Sequence, residues 1–116
     1  MATQTLTAKN FEETITNNDL VFVDFWATWC GPCKAFGPVY EKASEANPDI
    51  VFGKVDIDQN QELATAAEIQ AVPTLMIAKK GQIIFKQAGA LRASDLDEVI
   101  KQARALDVNA KEDAKA

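Results

Sequence analysis

The sequence predicts a single α/β domain built on a central mixed sheet of five strands, with about four helices flanking it. Residues 20–26 are apolar on both faces, as expected for a central strand that is covered on both sides. A helical pattern and a second apolar segment at 50–57 follow, which gives a strand, helix, strand unit with parallel strands. The compact turn signal Lys80-Gly81 separates strand-like segments at 74–78 and 82–86 and predicts an antiparallel hairpin.

The chain begins with an edge strand and a short helix. Residues 3–6 are β-prone, and Thr7 is a candidate N-cap for a helix that carries Phe11 and Ile15 on one face. The polar cluster at 17–19 marks a turn before the central strand.

The second helix begins near Cys30 and continues to about Asn47. Pro32 falls near its start, where the absent N–H is harmless. Pro38 falls inside it and removes one backbone hydrogen bond, so we expect a kink there.

Two further helices complete the expected elements. Residues 58–60 cap a short helix that ends near Ile69. The last helix opens at Ala93 or Ser94 and carries an apolar stripe as far as Leu106.

Length and composition indicate one domain. A chain of 116 residues with 47% apolar content buries one ordinary core and has no room for a second. We place the domain at residues 1–106. Residues 107–116 hold one large apolar side chain, Val108, and are predicted to form a frayed tail.

The charge distribution disfavours several partners. The net charge is −5 and the basic residues are scattered, so we expect no nucleic-acid binding. Residues 1–4 form no basic leader and no apolar run precedes Leu20, so we expect neither a signal peptide nor a membrane span, and a cytoplasmic location.

Cys30 and Cys33 are the only cysteines, and the chain has no histidine. On a helix two residues three apart lie on one face, close enough to bridge. A structural zinc site needs four ligands, so a zinc site within one chain is improbable. Because the cytoplasm keeps thiols reduced, a redox-active cysteine pair is a better interpretation than a structural disulfide.

Asp24 interrupts the apolar central strand. It shares a face with Leu20, Phe22 and Trp26, so desolvation should raise the pKa of its carboxyl. A carboxyl group of that kind near a thiol suits proton transfer, although an ion pair without a chemical role is the alternative. Lys54 lies in the next parallel strand and either approaches Asp24 or extends to the edge of the sheet.

Five segments in one consistent order resemble the thioredoxin family over roughly residues 3–106. They are Val23-Asp24-Phe25-Trp26-Ala27, Trp29-Cys30-Gly31-Pro32-Cys33-Lys34, Lys54-Val55-Asp56-Ile57-Asp58, Val72-Pro73-Thr74 and Gly89-Ala90-Leu91. The resemblance implies the thioredoxin fold and reversible reduction of protein disulfides by a monomeric protein. It implies no bound cofactor or metal, with electrons coming from NADPH through a thioredoxin reductase.

The resemblance also implies roles for individual residues. Cys30 is the attacking thiol, Cys33 the resolving thiol, Asp24 the proton-transfer group and Lys54 its modulator, while Pro73 is a cis-proline. Seven small or apolar residues are expected to form a shallow face that binds substrate proteins: Trp29, Gly31, Pro32, Val72, Pro73, Gly89 and Ala90.

Gly37 departs from the family pattern. Similar proteins usually carry a helix former at this position of the active-site helix, and glycine costs roughly 0.5–1 kcal/mol against alanine there. Three other functions stay open at this point: an oxidant or isomerase of the same fold, a subunit bridging an iron–sulfur cluster, and an interaction protein that uses only the apolar face.

Overall fold

The computed structural model describes residues 2–108 and contains one five-stranded mixed sheet with four helices. The predicted fold class is therefore confirmed. In chain order the elements are β1 (Thr3–Thr5), α1 (Phe11–Asn17), β2 (Leu20–Trp26), α2 (Gly31–Ala46), β3 (Val51–Asp56), α3 (Gln61–Ala66), β4 (Thr74–Lys79), β5 (Gln82–Ala88) and α4 (Ala93–Ala105).

The strands lie in the order β1-β3-β2-β4-β5, so β2 is the central strand, as its apolar sequence predicts. It pairs parallel with β3 and antiparallel with β4. The β4–β5 hairpin turns at Lys80 and Gly81, whose φ angles of 52° and 80° lie in the left-handed region that such tight turns require.

Two apolar layers cover the two faces of the sheet. On one face, α2 and α4 share an apolar layer with the sheet, and within it Tyr40 of α2 contacts both Phe36 and Phe52. On the other face, α1 and α3 cover Val21, Val23 and Phe25. Alternate residues of β2 therefore point into different layers, and Asp24 points into the layer under α2.

The expectation that Thr7 caps the first helix is wrong by one turn. The helix begins at Phe11 with Asn10 as its N-cap. Thr7 instead opens a turn, and its N–H donates a hydrogen bond to the Asn10 side chain at 2.7 Å. The N–H groups of Asn10 and Phe11 in turn donate to the Thr7 carbonyl. Local polar pairing of this kind competes with an earlier helix start.

The second helix runs without interruption through Pro38. The kink expected there stays a prediction.

The domain boundary expected at residue 106 stays a prediction, and the structure describes only two residues beyond it. Val108 is buried, and the ammonium group of Lys79 donates hydrogen bonds to the carbonyls of Ala103, Arg104 and Leu106. These bonds hold the C-terminal end of α4 against the sheet. The remainder of the predicted tail, 109–116, lies outside the described residues.

Candidate active site

Cys30 and Cys33 meet where β2 leads into α2, and they form a disulfide with a Cα–Cα distance of 5.3 Å. Cys30 is the N-cap of α2, with extended backbone, and the N–H of Cys33 donates to its sulfur at 3.1 Å. Pro32 occupies the first turn of the helix, as predicted. Both sulfurs therefore lie at the positive end of a 16-residue helix.

The loop before β4 brings a third segment to the sulfurs. The Cys30 sulfur lies 3.6 Å from the carbonyl oxygen of Val72, and the Val72–Pro73 peptide bond is cis, as the resemblance implies. The Gly89 N–H donates to the Pro73 carbonyl at 2.8 Å, and the Thr74 hydroxyl donates to the Ala71 carbonyl at 2.6 Å. Three parts of the chain that are distant in sequence thus converge on Cys30.

The residues expected to bind substrate lie around this point, with different exposure. Trp29 is 67% exposed, and its indole N–H donates to Asp58 at 2.9 Å. Gly31, Pro32, Gly89 and Ala90 are exposed, Val72 is half-buried and Pro73 is buried. Asp58, as the partner that holds the Trp29 ring, was not predicted from the sequence.

Asp24 is buried in β2, two residues before the end of that strand, with 1% of its surface exposed. Neither of its carboxyl oxygens has a hydrogen-bond partner within residues 2–108. Burial raises the pKa of this carboxyl from 3.8 to about 7, and the positive charge of Lys54 acts in the opposite direction. The group is therefore poised to gain or lose a proton near neutral pH.

Lys54 is the direct neighbour of Asp24 across the parallel β2–β3 pair. Its ammonium nitrogen lies 5.1 Å from the centre of the Trp26 ring, a cation–π arrangement. Lys54 therefore influences Asp24 by its charge without donating a hydrogen bond to it. Of the two possibilities left open by the sequence, the structure favours the approach of Lys54 to Asp24, because the two residues are paired neighbours and the Lys54 charge acts on the carboxyl.

A cavity of about 430 Å³ opens beside Cys33. Its walls come from the end of β2, the first turns of α2 and the middle of β3, and they comprise Trp26, Ala27, Thr28, Cys33, Lys34, Gly37 and Lys54. This cavity was not predicted from the sequence. The signal that could have indicated it is that Trp26 shares a strand face with Asp24, while Gly37 follows Cys33 by four residues.

Bonded cysteines at a helix N-terminus, beside a buried carboxyl group and under a partly exposed face, define a thiol–disulfide oxidoreductase. The thioredoxin family model matches residues 2–102. "Putative thioredoxin 2" of Streptomyces coelicolor is 56% identical over 108 residues, which cover 93% of this chain and 81% of that one. Thioredoxin-1 of Saccharomyces cerevisiae is 45% identical over 103 residues, covering 89% and 95%.

The solved structure of oxidised mitochondrial thioredoxin 3 from Saccharomyces cerevisiae superposes with a TM-score of 0.80 at 40% identity, over 86% of this chain and 94% of that one. The chain belongs to the thioredoxin family, whose members reduce protein disulfides by thiol–disulfide exchange.

The described residues contain neither a metal-binding cluster nor a membrane-spanning helix. Within residues 2–108 no three His, Cys, Asp or Glu side chains cluster closely enough to hold a metal ion. None of the helices in that range combines the length and apolar character needed to cross a membrane.

Proposed function

We propose that Cys30 attacks the disulfide of a substrate protein, that Cys33 resolves the mixed disulfide, and that Asp24 accepts the proton that Cys33 loses. The observation that carries this proposal is the position of the Cys30 sulfur, which caps α2, is bonded to Cys33 and lies 3.6 Å from the Val72 carbonyl oxygen. Cys33 lies one turn further into the same helix, towards the cavity.

The first step uses the N-terminus of α2. Its partial positive charge and the N–H of Cys33 stabilise a thiolate at Cys30 once the disulfide is reduced. Acidity gives only part of the advantage, because a less basic thiolate is also a weaker nucleophile. The larger contribution comes from holding the second thiol in place for the next step.

In the second step Cys33 attacks the Cys30 sulfur of the mixed disulfide. The Cys30–Cys33 bond forms, the bond from Cys30 to the substrate breaks, and the substrate sulfur leaves as a thiolate. Two electrons pass from the dithiol to the substrate disulfide, and the proton of Cys33 goes to Asp24. A carboxyl whose pKa is about 7 suits this transfer, because it is available both as an acceptor and as a donor at neutral pH.

Substrate binding uses the face formed by Trp29, Gly31, Pro32, Val72, Pro73, Gly89 and Ala90. An extended substrate segment adds to the backbone at Val72 as a short strand, which places its sulfur next to Cys30. The face is apolar and shallow, so it suits many protein partners with modest affinity.

We propose that a thioredoxin reductase that uses NADPH supplies the electrons that reduce the Cys30–Cys33 disulfide again. We further propose that the domain covers residues 1–106, that the protein works as a monomer and that it acts in the cytoplasm. Lys54 modulates Asp24 through its charge.

The test is reductase-coupled reduction of insulin disulfides by the native chain and by single variants. Cys30→Ser should abolish turnover. Cys33→Ser should form a mixed disulfide that accumulates, because the resolving thiol is absent. Asp24→Asn should leave the first attack intact and slow release of the mixed disulfide. Turnover by Cys30→Ser, or release at the native rate from Asp24→Asn, would contradict the corresponding role. A titration against glutathione separates a reductase from an oxidant of the same fold.

A further inference from the structure

A cavity of about 370 Å³ adjoins the substrate face, which is the set of seven residues proposed to bind substrate. Its walls come from the segment between α3 and β4, the first residue of β4 and the end of β5, and they comprise Glu68, Gln70, Ala71, Thr74, Lys86 and Ala88. Ala71 and Thr74 flank residues 72–73 of the substrate face in the sequence. Ala88 directly precedes Gly89, another residue of that face. The cavity and the substrate face are therefore built from the same two segments of the chain.

Lys86 brings a positive charge to this cavity. Its ammonium group donates to the carbonyls of Ala67 and Glu68, just after α3, at 3.0 and 3.4 Å. Two of the three ammonium donors are used in this way, and the third has no partner within residues 2–108. Lys86 also forms no ion pair with a carboxylate of that range. Because the end of a helix carries at most about half an elementary negative charge, the ammonium group keeps a net positive charge.

Glu68 brings a negative charge to the same cavity, but its side chain is held differently. The carboxylate is exposed and forms no ion pair within residues 2–108. The Lys86 ammonium is fixed by two hydrogen bonds, whereas the Glu68 carboxylate is free to move into solvent. A charge that is already fixed loses less side-chain entropy when a ligand pairs with it. The cavity therefore favours an anionic group over a cationic one.

Strand geometry brings a bound substrate within reach of Lys86. Lys86 and Ala88 lie two residues apart on one face of β5, so Lys86 is about 7 Å along the strand from the residue that adjoins the substrate face. In an extended substrate segment, the side chain two positions from the reacting cysteine points to the same side as the cysteine, also about 7 Å away. That side chain therefore points towards the protein at the distance of the cavity.

We propose that this cavity is a subsite for an acidic substrate side chain, Asp or Glu two positions from the reacting cysteine, and that Lys86 determines the preference. The inference rests on the proposed function, because it uses the substrate segment that adds to the backbone at Val72. Lys86 takes no part in the exchange of sulfurs. Its ammonium group attracts the substrate carboxylate during binding, so the effect is on the second-order rate constant of the first turnover.

The experiment uses short synthetic peptides, each joined to a second copy of itself by the disulfide of a single central cysteine. The peptides differ only in carrying Glu, Gln or Lys two positions before or two positions after the cysteine, because a strand added at Val72 can run in either direction. The protein is reduced beforehand and mixed with excess peptide below saturation. The reaction is stopped with acid and the freed peptide thiol is quantified, so no reductase is needed.

At one of the two positions the native chain should reduce the Glu peptide about 1.5-fold to fivefold faster than the Gln peptide, the range that corresponds to an exposed ion pair. The net charge of −5 disfavours acidic peptides at both positions alike, so the other position measures that background. Higher ionic strength should weaken the preference.

The variants separate the charge of Lys86 from its structural contacts. Lys86→Gln should remove the preference, Lys86→Glu should reverse it, and Lys86→Arg should retain its sign. Lys101→Gln makes the same change of net charge on an exposed residue of α4 that does not line the cavity, and it should keep the native preference. Glu68→Gln keeps the carbonyl that binds Lys86 and should strengthen the preference for Glu.

Equal rate constants for the Glu and Gln peptides at both positions would overturn the inference, and so would a native preference in Lys86→Gln. A change of equal size for every peptide would also overturn it, because Lys86 would then act only by holding the end of α3. If the Lys86 variants do not fold, a weaker preference in Glu68→Gln would contradict the inference. If the native chain reduces none of the peptides, or Cys30→Ser reduces them, the proposed function fails. If the native chain reduces all of them alike, only the inference about Lys86 fails.

Discussion

Replacing Asp24 with Asn should make the oxidised protein more stable at neutral and alkaline pH. Asp24 has 1% of its surface exposed, and neither of its carboxyl oxygens has a hydrogen-bond partner within residues 2–108. Asparagine has nearly the same shape and cannot ionise. The variant therefore removes the free-energy cost of a buried negative charge and leaves the packing almost unchanged.

The size of the effect follows from the pKa. Burial raises the pKa of Asp24 from 3.8 to about 7, so the shift is about three units. Each unit corresponds to about 1.4 kcal/mol, which gives a cost of about 4 kcal/mol for the ionised group. This is a large fraction of the roughly 5–15 kcal/mol by which a domain is stable.

The change of stability with pH that Asp24 causes has the opposite sign to that of an ordinary surface carboxylate. Between about pH 4 and pH 7 the unfolded chain has lost the Asp24 proton and the folded protein has kept it, so stability falls as pH rises through this range. Below about pH 4 the folded and unfolded states both hold the proton, so the free-energy cost of burying an ionised Asp24 vanishes. Above pH 7 both states are ionised and the loss reaches its full value.

Urea unfolding of the oxidised native and Asp24→Asn proteins at pH 4 and pH 8 measures this difference. The variant should match the native protein at pH 4 and exceed its free energy of unfolding by about 4 kcal/mol at pH 8. Asp19→Asn, which removes an exposed carboxylate just before β2, is the matched control and should show no such pH dependence. A gain at pH 8 no larger than the gain at pH 4 would refute the reasoning.

Three further substitutions test the packing that supports the site. Lys79→Met leaves three carbonyls at the end of α4 without their donor and should lower the free energy of unfolding by about 1–3 kcal/mol, with the exposed Lys101→Ala as a near-neutral control. Gly53→Ala places a Cβ within the Leu6 side chain and should cost about 1–3 kcal/mol, measured by thermal unfolding and contradicted by an unchanged Tm. Tyr40→Phe removes a buried 2.8 Å hydrogen bond to the Gly53 carbonyl and should cost about 1 kcal/mol in urea; no loss would mean that the carbonyl finds another donor.

Much of the fold could be predicted because local patterns and tertiary contacts favour the same structure. The apolar run at 20–26 is central because it is buried on both faces, and Lys80-Gly81 forms the tight turn that its conformational freedom permits. The start of α1 was the exception, because the hydrogen bond between Thr7 and Asn10 moves the start of the helix one turn later than predicted. Val108 is buried, and no local pattern of the sequence signals that burial.

The cysteine pair and the buried carboxyl were visible in the sequence because their chemistry depends on short spacings. Cys30 and Cys33 lie one helical turn apart, and Asp24 occupies an inward position of an apolar strand. The side-chain position of Lys54 was not predictable, because it depends on the Trp26 ring beside it.

The sequence alone determined most of the elements, the central place of β2 with β3 parallel to it, the β4–β5 hairpin, and the presence of a cysteine pair and a buried carboxyl, since each depends on periodicity or on neighbours within a few residues. Only the tertiary structure decided which groups meet: Val72 at the Cys30 sulfur, Asp58 at Trp29, and Gly37 with Lys54 at one cavity. The physical reason is that these contacts join segments far apart in the chain, and their geometry depends on how the helices pack on the sheet.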